Sequence, residues 1–171
     1  AILDPDRIRA NPPERDRVIR AVVRDVFDID AMARAALGEL WSEQREVDLR
    51  EFRTILGRLI EESALRVGRD SPSYELEFGA ISVYEGNRAR VELLLTVEQR
   101  GRQETYVVAF EMARERERWR VVEVVTDGVR LVRSYRIMFS RVIRREGFAA
   151  LLHRMRERLE GLIGQNASSM E

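Results

Sequence analysis

The stretch Trp119–Leu152, WRVVEVVTDGVRLVRSYRIMFSRVIRREGFAALL, passes from a strand through a glycine break into two helices. Arg118–Thr126 reads as a half-buried strand, with period-two patterning. Asp127-Gly128 breaks that period. Leu131, Tyr135, Met138, Phe139 and Val142 then recur at helical spacing up to Gly147. A second apolar helix follows through Phe148, Leu151, Leu152, Met155, Leu159 and Leu162.

Upstream, the two-residue period persists. Tyr74–Tyr84, Arg88–Gln99 and Gln103–Met112 read as three more strands, divided by Glu85-Gly86-Asn87 and Arg100-Gly101-Arg102. The run Arg114-Glu115-Arg116-Glu117 is a charged turn before the fourth. Connections this short make neighbouring strands antiparallel. Tyr106, Val108, Phe110 and Met112 share one face of their strand, as do Val91, Leu93, Leu95 and Val97 of theirs.

Further upstream, helical spacing returns. Asn11-Pro12 has the form of a helix start, and Val18, Val22 and Val26 follow on one face. Asp28 or Asp30 caps a short helix that Gly38 stops. From Val47 to Val67 a stronger helix carries Leu49, Phe52, Leu56, Leu59, Ile60 and Ala64, with Gly68 at its C-terminal cap. Helices, four strands, then helices describe an α+β domain with helices on one face of an antiparallel sheet. Residues 1–164 form that single domain, and 165–171 a frayed tail.

The composition narrows the function classes. The chain has 171 residues, 30 acidic and 30 basic, the latter all Arg, for a net charge of zero. That balance argues against a nucleic-acid binder, which needs a basic face to collect phosphates. No apolar run reaches the roughly 18–20 residues a membrane span requires. Ala1-Ile2-Leu3-Asp4-Pro5 lacks the basic start and apolar core of a secretory signal, which fits a cytosolic protein or a mature exported one. With no Cys, thiol catalysis and Cys-based zinc sites are excluded.

Little else points to catalysis. His153 is the only histidine and lies among Arg154, Arg156 and Arg158 on the last helix, where a solvated role is the first reading. The glycines form no phosphate cradle, and no calcium loop is present. Glu61/Glu62 and Glu115/Glu117 are adjacent carboxylates in charged, solvated stretches, so nothing separates their pKa values for acid–base work. No catalytic residue and no metal ligand set is assigned.

Two groups of residues carry a resemblance. The first is Phe27-Asp28-Ile29, Met32-Ala33, Ala36-Leu37-Gly38 and Trp41, with Phe52 in the next helix. The second is Trp119, Gly128-Val129, Tyr135, Phe139 and Gly147-Phe148. In this order, with strands between, they resemble the MlaC (toluene-tolerance) family. The family's usual Asp after the Trp and Ser after Gly-Val are replaced here by Glu123 and Arg130. Its late helical tyrosine is absent around Glu62-Ser63-Ala64.

The resemblance implies a curved sheet of nuclear-transport-factor-like or ketosteroid-isomerase-like form, with an apolar cavity between sheet and helices. It implies a periplasmic, non-enzymatic carrier of phospholipid, monomeric, its signal peptide removed and phospholipid its cargo rather than a cofactor. The implied partners are an outer-membrane lipoprotein–porin complex and an inner-membrane lipid transporter with a lipid-binding hexamer.

Enclosing two acyl chains is worth on the order of 20 kcal/mol gross, at about 0.8 kcal/mol per methylene. The candidate walls are Phe52, Leu56 and Ile60 of the long helix. From the sheet come Tyr106, Val108, Phe110, Val122 and Val124. The penultimate helix adds Val129, Val132, Tyr135 and Phe139. Arg141 and Arg144 are the candidates for a headgroup or an acidic partner.

Taken singly, each wall residue reads more readily as core filling than as a cavity wall. Two other readings therefore stand: a protein-interaction module with a solid core and an exposed apolar patch, or a small-molecule enzyme on the same fold. The enzyme would need a pocket carboxylate from Glu92, Glu111 or Glu123, and Glu123 is expected to point away from the apolar face of Val122 and Val124.

Overall fold

A computed structural model describes residues 12–70, 74–99 and 102–168. Helix α1 spans Pro12–Val26; the expected Asn11 cap lies outside the described residues. Helix α2 is Ile29–Leu37. Its cap is Asp28, whose carboxylate accepts the Ala31 N–H at 2.9 Å and satisfies a donor that the first turn leaves open. A 3-10 turn, Gly38–Glu43, leads to the long helix α3, Glu46–Asp70. α3 continues through Gly68, which was expected to stop it. Gly38 has φ 57°, a left-handed conformation that favours glycine; the Arg136 guanidinium also lies close, but its flexible end can move aside.

Among the described residues the sheet has five strands, not four: β1 Tyr74–Tyr84, β2 Arg88–Gln99, β3 Arg102–Glu115, β4 Arg118–Thr126 and β5 Val129–Arg130. They run antiparallel in sequence order. The unexpected strand arises because Asp127 and Gly128, at φ 49° and 81°, turn the chain so tightly that Val129 and Arg130 pair back onto Thr126 and Val125. The other half of that β4 edge is closed by Phe27, which bridges Val121, while the Asp28 N–H donates to the Val121 carbonyl at 2.9 Å.

Helices α4, Leu131–Glu146, and α5, Phe148–Ser168, complete the chain. Gly147, at φ 87°, separates them, and its N–H donates back to Ile143. α5 persists beyond the expected tail boundary at 165. Asn166 is buried and donates to the Glu62 carboxylate at 2.7 Å, which holds the last turns in place; residues 169–171 lie outside the described residues.

The helices pack chiefly on one another, and they meet the sheet mainly at β4 and β5. Phe52 is the hub of their core. It is wholly buried, its ring edge-on to Phe139 at 5.6 Å and tilted against Phe148 at 5.8 Å. Leu56, Leu59, Ile60, Leu151, Leu152 and Met155 surround it. Glu62, expected in a solvated stretch, is 2% exposed. Arg20 of α1 reaches it at 2.8 Å, and with Asn166 this clamps α1, α3 and α5 together. Burial lowers the Arg20 pKa, but the hydrogen bonds and charges of Glu62 and Glu61 outweigh that and leave it raised.

Candidate functional site

Strand register assembles an apolar face that no single strand displays. Tyr106 pairs with Leu95, and Leu95 with Leu76. Val108, Leu93 and Phe78 form the next row. Phe110 pairs with Val91 on one side and Val124 on the other, and Val91 with Ile81. In β1 the apolar positions change parity between Phe78 and Ile81. A bulge at Gly79-Ala80 absorbs the extra residue and keeps Leu76, Phe78, Ile81 and Val83 on one side. These four are 51%, 79%, 64% and 63% exposed, a continuous greasy surface left open to water. Phe27 stands at its inner border, edge-on to Phe110 at 6.2 Å.

The opposite face carries charge. Arg90 donates to Glu92 at 2.9 Å and lies 3.6 Å from Glu111. Arg130 of β5 grips Glu111 with both ends of its fork, one bond at 2.8 Å, and approaches Glu123 at 3.7 Å. The hydrogen bond to Glu111 is the main reason the Arg130 pKa is raised.

Glu123 lies on this second face and Val124 on the apolar one, as expected, but the bulge at Val122 breaks the alternation and puts Val122 beside Glu123; helices cover Glu123, which is 7% exposed. Its Oε1 accepts the N–H of Val132 at 2.7 Å and of Val124 at 3.0 Å; Oε2 accepts that of Arg133 at 3.3 Å. α4 lacks a capping side chain at Arg130 and an acid in its first turn, so this carboxylate does the capping. It is fully engaged as a structural acceptor.

A third feature lies among the helices. Between α3, α4 and α5 a cleft of about 390 Å³ opens beside Tyr135. Leu59, Phe139, Val142, Leu151, Met155 and Leu162 line its depth, with Arg154 and Arg158 at the rim. Tyr135 stacks on Phe139 at 5.2 Å, and burial raises its pKa.

The structure does not gather the twelve expected wall residues around one void. Phe52, Leu56 and Ile60 are helical core. Tyr135 and Phe139 border the helical cleft. Tyr106, Val108, Phe110 and Val124 belong to the open sheet face. Val122 is the extra residue of a second bulge, between the Glu111–Glu123 and Met112–Val121 pairs, and lines a depression among Arg88, Glu111 and Arg130. Val132 lies under Glu123 in the same depression. Val129, assigned to a helix, is in β5 and 63% exposed.

Arg141 and Arg144 project from α4 and are exposed, without an ion pair to any described residue. His153 is exposed and lies 3.6 Å from Glu157. Among the described residues, no three His, Cys, Asp or Glu side chains cluster to hold a metal, and no helix is long and apolar enough to cross a membrane. Sequence reasoning missed Leu76, Phe78, Ile81 and Val83, although their two half-patterns, out of phase across Gly79, were the available signal.

The family model described as MlaC protein matches residues 1–157. No curated protein matches the sequence. Among solved structures, the chain is similar in fold to a phospholipid-binding protein from Ralstonia solanacearum in complex with a phospholipid. The TM-score is 0.72 at 18% identity, covering 94% of this chain and 88% of that one.

Proposed function

Since the chain belongs to the MlaC family, we propose that it is a carrier that binds phospholipid through its acyl chains. The observation that carries this reading is the open apolar sheet face, from Leu76 and Phe78 across Leu93 and Val108 to Phe110 and Val124. Water against that surface is unfavourable by roughly 25 cal/mol per Å². Acyl chains laid along the strands remove it without needing any directional partner. The likeness of fold to a phospholipid-binding protein supports the same reading.

In this reading the carrier is periplasmic, monomeric and non-enzymatic, and phospholipid is cargo rather than cofactor. It moves lipid between an outer-membrane lipoprotein–porin complex and an inner-membrane transporter with a lipid-binding hexamer, and so maintains outer-membrane lipid asymmetry. Tyr106, Val108, Phe110 and Val124 contact the chains. Arg141 and Arg144, exposed and without ion pairs among the described residues, dock the acidic surface of a partner. Reversing both charges slows transfer to partner complexes; unchanged partner binding and transfer would reject that role.

The exposed face also suits a second reading, an interaction module that docks another protein there. Native mass spectrometry of freshly purified protein, followed by organic extraction, separates the two. A bound mass matching a two-chain phospholipid, released on extraction, supports the carrier. Protein that stays empty after incubation with phospholipid vesicles overturns it.

A further inference from the structure

The helical cleft has properties that the sheet face lacks. It lies between three helices, its depth is aliphatic and aromatic, and its two charged groups, Arg154 and Arg158, both come from α5. A cavity of about 150 Å³ holds one benzene. On that scale the 390 Å³ of this cleft suits a single acyl chain and is too small for two. Met138, half exposed beside the opening, supplies an adaptable apolar lip.

The rim charges are unequal. Arg154 is held by Glu146, its Nη2 donating to the carboxylate at 2.6 Å. Arg158, one turn further along α5 on the same side, makes no hydrogen bond or ion pair with a described residue. Among the described residues, the rim therefore keeps one positive charge without an ion-pair partner above an apolar floor. That matches a phosphodiester, which carries one negative charge and presents oxygens to the guanidinium fork.

We propose that this cleft is a second lipid subsite: it takes one acyl chain and seats the headgroup phosphate on Arg158, with Arg154 beside it. The subsite rests on the lipid-carrier reading for the class of its ligand, but not on the sheet face for its geometry. Its committed occupant is a single-chain phospholipid. Size excludes a second chain, and an uncharged head leaves the Arg158 charge unanswered.

The test compares lauroyl lysophosphatidylglycerol with monolauroylglycerol, which has the same chain and no phosphate, by calorimetric titration of the whole chain. Wild-type protein prefers the phosphate lipid by about tenfold, the size of one charge-assisted hydrogen bond. Arg158→Gln brings the two affinities together, whereas Arg17→Gln, away from the cleft, leaves the preference intact. Met155→Trp, which fills the cleft, weakens both probes; if it fails to fold, the Arg158 comparison alone decides.

Equal affinities in the wild type, or a preference that survives Arg158→Gln, overturn the subsite. Native mass spectrometry of the same samples scores the two-chain cargo separately. Empty protein that still shows an Arg158-dependent preference sinks the carrier and keeps the subsite. The reverse pattern does the opposite.

Discussion

The Glu123 carboxylate of β4 accepts the backbone N–H of Val132 at 2.7 Å, so a strand side chain caps a helix that begins eight residues later in the chain. This contact seats the start of α4 on the sheet, and with it the Arg130–Glu111 pair alongside. We expect Glu123→Ala to lower stability by about 2–3 kcal/mol, because it strands buried N–H donors. Glu123→Gln, which keeps an acceptor, costs less. Urea unfolding measures both, and an alanine variant within about 0.5 kcal/mol of wild type would remove the capping role.

Phe78 tests whether the open sheet face binds cargo. It is 79% exposed, so Phe78→Asp leaves folding within about 0.5 kcal/mol while placing a charge where acyl chains would lie. The expected result is normal thermal unfolding with loss of co-extracted phospholipid. Undiminished lipid in that variant would be evidence against the sheet face.

Phe52 separates core from binding wall. It is fully buried against Phe139 and Phe148, so Phe52→Ala is expected to cost about 3–5 kcal/mol. Folded protein recovered at low temperature should still carry lipid on its sheet. A stable variant that has lost lipid would return Phe52 to the wall.

Arg20 stands over the buried carboxylate of Glu62. Removing one member of a buried pair costs about 3–5 kcal/mol. Since the Arg20 side chain is 34% exposed, solvent screening reduces the expected loss for Arg20→Met to about 2 kcal/mol. Adding Glu62→Gln should recover part of it. Independent, additive effects in that double-mutant cycle would contradict the clamp.

Alkaline stability reports on Tyr135. The chain has no Lys, so tyrosines are the side chains that titrate near pH 10. Burial raises the Tyr135 pKa above its ordinary 10.0. Stability is complete below that value. As pH rises through it, the unfolded state releases the proton first, so stability falls until the higher folded-state pKa is passed. Tyr135→Phe should flatten this fall more than Tyr106→Phe, whose exposed hydroxyl is screened by water. Denaturant midpoints measured across that pH range supply the comparison.

Local signals in the sequence specify most of the elements and the class of fold, though not β5 or the end of α3. Asp28 and Gly38 bound α2, Gly147 ends α4, and the change of period at Gly128 marks the passage from sheet to helix. These signals are local: a capping side chain, a positive φ and the spacing of apolar residues act within a turn or two of chain. The ordered pattern from Phe27 to Gly147 also carried the family resemblance, which the match over residues 1–157 bears out.

Which faces meet depends on pairing between distant segments. The apolar residues of β1 fall out of phase across Gly79, and pairing with β2 through a bulge brings Ile81 and Val83 back to the side of Leu76 and Phe78. Glu123 and Glu62 look like surface carboxylates in sequence. One is buried by the start of α4, the other by Arg20 and Asn166, partners 42 and 104 positions away from Glu62. Burial, register and the division of apolar residues between helical core, helical cleft and sheet face depend on contacts far apart in the chain. Local periodicity fixes which side of an element is apolar, while the closing of the chain fixes what that side touches.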